Sequence, residues 1–275
     1  MSSPTYRIAK PAASPDSAVR WRWPSLLALL LSQLWGAHAA VFFAHEYAHS
    51  FTAWLLNWKA NPLALHFPPL SPLVWLLQLG INQNVNETPI FATGHGLEAA
   101  LIGGAGMILG NALFSLPLSR LGWRWATRKH RPGWALFAYW CTVASLGNLL
   151  DYVPIRIFTL EGDMGSLQRG FGWSPWLVLL LLGLPTAGAF GWFFARVVPA
   201  SLAWLFPQNL AQRLLVAALT VGVVFGFYGA VGFLEGGPIA QRLSWLSVVV
   251  VLPLMLILEL LRLWRRGRVP TKGAA

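Results

Sequence analysis

Runs of apolar residues long enough to cross a bilayer follow one another from residue 24 to residue 264. They restrict this chain to folds in which lipid replaces water as the solvent. Six runs are legible, at approximately 24–57, 97–119, 133–150, 174–197, 210–234 and 243–264. As a helix, each is long enough to cover roughly 30 Å of hydrocarbon. Hydrophobic residues make up 56% of the chain and charged residues 11%. Soluble domains carry about 25% charged residues, so nearly all of this chain reads as membrane domain. The expected fold is all-α: a polytopic transmembrane helix bundle of about six spans. It is read as one domain over residues 24–264, between a disordered tail (1–23) and a basic tail (265–275).

The details of composition agree. Residues 1–20 are rich in Ser, Pro and Ala, and the apolar run that follows them is too long for a secretory signal. Many of the 16 Trp, among them Trp21, Trp23, Trp58, Trp123, Trp125, Trp173, Trp176 and Trp264, stand near run ends, as an interfacial aromatic belt requires. The net charge of +11 gathers at run ends without an aromatic-basic motif, which argues for membrane orientation and against nucleic acid. With six spans, 16 of the 20 basic residues fall on one side; Lys59, Arg156, Arg169 and Arg242 fall on the other. Both termini are therefore expected in the cytoplasm. Residues 59–96 form a Pro- and Asn-containing connection after the first span. Its apolar piece, 70–79, is too short to cross and is expected to lie at the interface or re-enter as a lid.

Chemistry enters with His45-Glu46-Tyr47-Ala48-His49, deep in the first run. On a helix, residues four apart share a face, so His45 and His49 can present two imidazoles to one metal ion. Glu46 beside them can take a proton from an activated water. The spacing H-E-x-x-H is a zinc-hydrolase pattern. With six His and six Glu in the chain, roughly 0.003 chance matches are expected, too few to dismiss it. Two His and a Glu are costly in hydrocarbon and mark a functional site. The single cysteine, Cys141, excludes a Cys-rich site, so zinc must be held by His and carboxylate.

The third ligand should be a carboxylate or His. Asp151 and Asp163 lie in the segment between the third and fourth spans, on the side that carries the deep end of the first. Each also has an ordinary reading, Asp163 as a helix N-cap and Asp151 as a helix-end residue. His38 shares roughly the face of His45, as a channel or packing residue. His95 and Glu98 read as an interfacial pair, His66 and His130 as exposed residues, and Glu259 as a partner of Arg262 or Arg265. Gly103-Gly104-Ala105-Gly106 and Gly110-Asn111-Ala112 allow helix backbones to approach closely.

Three elements together resemble the site-2 proteases, intramembrane zinc metalloproteases. The first is the intramembrane H-E-x-x-H. The second is Gly106-Met-Ile-Leu-Gly110-Asn111, similar to the family's A-G-P-x-x-N segment. The third is the stretch with Asn148, Pro154 and Asp163, similar to N-x-x-P-x-x-x-x-D-G. The resemblance covers residues 40–165. It implies His45 and His49 as zinc ligands, Glu46 as the catalytic base, an Asp of the third motif as third ligand, and Asn148 close to substrate or metal. Asp163 is preferred and Asp151 is the alternative. The chain departs from the pattern at Met107 (Pro in the family), in the longer Asn148–Asp163 gap, and in Gly162, which precedes the Asp instead of following it. His45 lies some twenty residues into a span expected to start in the cytoplasm, so the metal is expected nearer the outer half, which differs from the cytoplasm-facing zinc usual in that family.

The sequence therefore reads as a zinc-dependent intramembrane endopeptidase acting on membrane-embedded protein segments, with transmembrane protein substrate and membrane lipid as partners. The alternatives are a transporter or scaffold with a structural metal site, and a membrane hydrolase acting on a lipid or small amide.

Overall fold

A computed structural model describes residues 21–234 and 236–267. The expected tails lie outside them, apart from residues 21–23 and 265–267. Among the described residues the architecture is helical without a sheet; one isolated antiparallel bridge joins His66 and Asn82. The helices are α1 (Trp23–Leu55), two short pieces α2 (Pro72–Leu77) and α3 (Thr88–Ala92), α4 (Gly96–Arg128), α5 (Pro132–Leu150), the short α6 (Gly162–Phe171), α7 (Pro175–Leu205), α8 (Leu210–Phe233) and α9 (Gly237–Arg265).

Five of them, α1, α4, α7, α8 and α9, are long and apolar enough to cross a membrane. The chain is thus a multi-span helical membrane protein. The run expected as the third span is α5, which is not among these five. It packs against α1, α4 and α8, and most of its residues are buried. Thr142, Ser145 and Asn148 lower its apolarity, which a helix surrounded by protein tolerates because each polar group finds a carbonyl of its own helix. Several helices also outrun their apolar stretches: α4 continues to Arg128, α7 to Leu205, and α9 starts at Gly237. Hydropathy marks where lipid begins and ends, whereas the backbone ladder continues beyond it.

Of the five π-helical segments among the described residues, with their wider turn, three are followed closely by a proline and a fourth contains one. Gly106–Ser115 precedes Pro117, Asp151–Ile155 contains Pro154, Phe193–Val197 precedes Pro199, and Leu246–Val251 precedes Pro253. A proline ring clashes with the carbonyl four residues back and offers no N–H. Widening the turn before it relieves both problems without ending the helix.

The connection from 56 to 95 is anchored at both ends. Near its base the Lys59 ammonium donates to the carbonyls of Ala64 (2.7 Å), Gln83 (2.6 Å) and Asn84 (3.2 Å). Burial lowers the pKa of Lys59, while the three carbonyls take the place of water around its charge. At the far end α2 lies beside the middle of α1. The Trp35 indole donates to the Trp75 carbonyl at 3.0 Å and stacks on its ring at 5.1 Å. His38 bonds the Leu77 carbonyl through Nε2 and the Tyr228 hydroxyl through Nδ1.

Candidate metal centre

The i, i+4 spacing places His45 and His49 one turn apart on α1, and the long-range fold adds Asp163. Their ligand atoms converge. Nε2 of His45 and Nε2 of His49 are 3.0 Å apart, and each lies 3.2 Å from Oδ2 of Asp163. The His side chains are 3% and 1% exposed and the Asp side chain 16%. This is a buried histidine–histidine–aspartate cluster capable of holding a divalent metal.

Asp163 arrives through a turn that only glycine makes comfortably. Gly162 has φ +65°, in the left-handed region, and reverses the chain out of the extended Glu161 into α6. Asp163 therefore stands in the first turn of α6 and points at the histidines; the N-cap position belongs to Glu161. The segment opened is α6, a ten-residue helix set before the long helix α7. α6 sits tightly on α4, because a Cβ at Gly103 would meet the Asp163 carbonyl at 2.9 Å and the Ser166 Cβ at 3.0 Å. The Ser166 hydroxyl donates to the Glu87 carboxylate, and the Gln168 amide donates to the Ile157 carbonyl. The net effect of its surroundings on Glu87 is a raised pKa, with burial the largest cause.

The donor set fits a metal in three respects. First, His49 Nδ1 is 2.5 Å from the Ile102 carbonyl. A carbonyl only accepts, so Nδ1 carries the hydrogen and Nε2 can offer its lone pair. Second, ligands about 2.0–2.1 Å from a tetrahedral zinc lie about 3.3 Å from one another, close to the separations found. Third, Gly106 of α4 leaves room beside the Nε2 atoms of both histidines. A Cβ there would stand 2.5 Å from His45 Nε2 and nearer still to His49 Nε2.

Glu46 is 6% exposed, and its Oε2 is buried without a hydrogen-bond partner among the described residues. The Gln83 backbone of the connection reaches the same carboxylate. Tyr152 stacks on the His45 ring (centroids 4.8 Å, 28°), with the Arg156 guanidinium 4.8 Å from the Tyr152 centroid. Asp151 is not in the cluster; it meets Arg156 at 3.7 Å. Asn148 donates to the Ala144 carbonyl of its own helix. His38 packs with Tyr228 and α2, two turns from the donors. His95 pairs with Glu98 at 3.1 Å, and Glu259 with Arg262 at 3.4 Å. His66 and His130 are exposed.

Three participants were not legible in the sequence. Gly106 belonged to a glycine cluster with an ordinary packing explanation and opened the second motif of the resemblance, which gave it no role. Asn111, whose amide lies 3.2 Å from His45 Nδ1, carried only the motif likeness. Tyr152 carried no signal beyond standing next to Asp151. Compared with models of protein families, with curated proteins and with solved structures, the chain matches none.

Proposed function

We propose that the protein is a zinc-dependent intramembrane endopeptidase of the site-2 protease type, cleaving membrane-embedded protein segments. The observation that carries this reading is the convergence of His45, His49 and Asp163 within 3.0–3.2 Å beside a buried Glu46. In it His45, His49 and Asp163 are the ligands, and Asp151, which meets Arg156 at 3.7 Å, stands outside the ligand set. When bound, zinc supplies Lewis acidity and a water acidic enough to react near neutral pH.

The chain's own residues do the rest. Oε2 of Glu46, without a hydrogen-bond partner among the described residues, is the acceptor for the proton of the attacking water. As that water adds to the scissile carbonyl carbon, Glu46 holds the proton and then returns it to the leaving amine. The apolar surroundings exclude bulk water and keep these electrostatic interactions strong. A substrate helix must unwind locally to react, since its carbonyls are otherwise engaged in i to i+4 bonds.

In the membrane, α5 acts as a sixth, protein-enclosed span, and both termini face the cytoplasm. The connection re-enters the bilayer. Supporting this, α2 is held at Trp35 and His38 in the middle of α1, and its apolar residues Leu73, Trp75 and Leu76 are exposed. Substrate passes this segment to reach Glu46.

The test is Glu46→Gln in purified protein given membrane-embedded peptide substrates. The expected result is full zinc content with cleavage reduced by orders of magnitude. Unchanged function in the variant would favour a structural metal, as in a transporter or scaffold. Turnover of a lipid or small amide, lost in the variant, without peptide cleavage would reassign the substrate.

A further inference from the structure

The metal-centre reading requires a hydrogen-bond acceptor at Nδ1 of His45. Both histidines direct Nε2 toward Asp163. For His45 to offer an Nε2 lone pair, its hydrogen must be on Nδ1, and a buried N–H needs an acceptor. His49 solves this with the Ile102 carbonyl. The recorded partner of His45 Nδ1 is Nδ2 of Asn111, at 3.2 Å. Asn111 is fully buried, and its Oδ1 is without a hydrogen-bond partner among the described residues.

These two facts fit together. Turning the amide by 180° about Cβ–Cγ exchanges Nδ2 and Oδ1 with little movement of anything else. Oδ1 then accepts from His45 Nδ1–H, and the orphaned oxygen gains its bond. We propose that Asn111 is a positioning residue of the metal centre. Its side-chain oxygen holds His45 in the tautomer whose Nε2 faces the metal, as the Ile102 carbonyl does for His49.

The fold accounts for its placement. Asn111 lies in the widened turn Gly106–Ser115 that Pro117 imposes on α4. Gly110 beside it lets α4 press on α1, since a Cβ there would stand 2.7 Å from the Ala44 carbonyl and 2.8 Å from the His45 Cα. Tyr152 stacked on the ring restrains its tilt. The Asn111 contact decides its protonation pattern.

This inference rests on the metal reading, and the experiment separates the two. Zinc and cobalt affinities of detergent-purified full-length wild type, Asn111→Leu and Asn111→Asp are measured by chelator competition, with the cobalt visible spectrum as a report on ligand geometry. Asn111→Leu removes the acceptor at similar volume and should bind about 10–100-fold more weakly, with an altered cobalt spectrum. Asn111→Asp keeps an acceptor of the same shape and should restore wild-type affinity and spectrum, which also shows that the site tolerates substitution. Wild type that binds metal together with an equally tight Asn111→Leu overturns the role of Asn111 and leaves the centre standing. An Asn111→Asp protein as weak as Asn111→Leu overturns it too. Wild type that binds neither ion overturns the centre and this inference with it.

Discussion

Gly106 offers the sharpest test of whether a metal sits among the three donors, because a methyl group there crowds two of them. A Cβ at this position would lie 2.5 Å from Nε2 and 2.6 Å from Cε1 of His45, and closer to Nε2 of His49. Ordinary contacts of a carbon begin near 3.5 Å, so the shortfall is about 1 Å. A zinc ion bound to both nitrogens needs a point about 2.0–2.1 Å from each, and the methyl crowds those same two nitrogens. In Gly106→Ala either α4 retreats or the histidines swing away, and both separate the donors. Overpacking of this kind costs about 1–3 kcal/mol, so the bundle should still fold while the centre fails. Zinc content of the purified variant should fall to a small fraction of wild type, with circular dichroism unchanged and a lowered melting temperature. Gly188→Ala is the control. A Cβ there meets nothing within 4 Å, and alanine gains up to about 1 kcal/mol of helix propensity, so zinc and stability should be preserved or improved. Stoichiometric zinc at wild-type affinity in Gly106→Ala would refute the placement of the metal.

Other outcomes follow from the same geometry. Asp163→Asn should lose most of its zinc while Asp151→Asn keeps it, since only Asp163 meets the two imidazoles; elemental analysis of both variants decides it. His45→Ala/His49→Ala should bind no zinc at concentrations that saturate wild type, and full occupancy would remove these residues from the ligand set. Lys59→Met deletes three hydrogen bonds to the connection, so limited proteolysis within residues 60–87 should accelerate several-fold with zinc content unchanged; an unchanged cleavage rate would show that the clasp is dispensable. Reporter fusions at both termini should be active in the cytoplasm and silent outside it, and the opposite pattern would overturn the orientation drawn from basic residues.

What could be read from the sequence is what short-range geometry determines. An α-helix sets residues four apart on one face by its own hydrogen bonds, so His45 and His49 could be paired before any packing was known. Lipid imposes length and apolarity on a helix it surrounds, so α1, α4, α7, α8 and α9 were legible as runs. The same criterion is weak for α5, because that helix answers to neighbouring helices and carries Thr142, Ser145 and Asn148 without penalty. Proline positions were visible, but the widened turns they cause depend on the helix continuing past them. The choice between Asp163 and Asp151 was beyond local reasoning: His45 and Asp163 are 118 residues apart. They meet only because Gly162 reverses the chain and the small residues of α4 let α6 approach. Asn111 and Gly106 likewise acquired meaning only when α4 was pressed against α1. Periodicity within one helix is set by the backbone, whereas a centre built from three helices is set by how closely their surfaces pack, and that belongs to the tertiary structure.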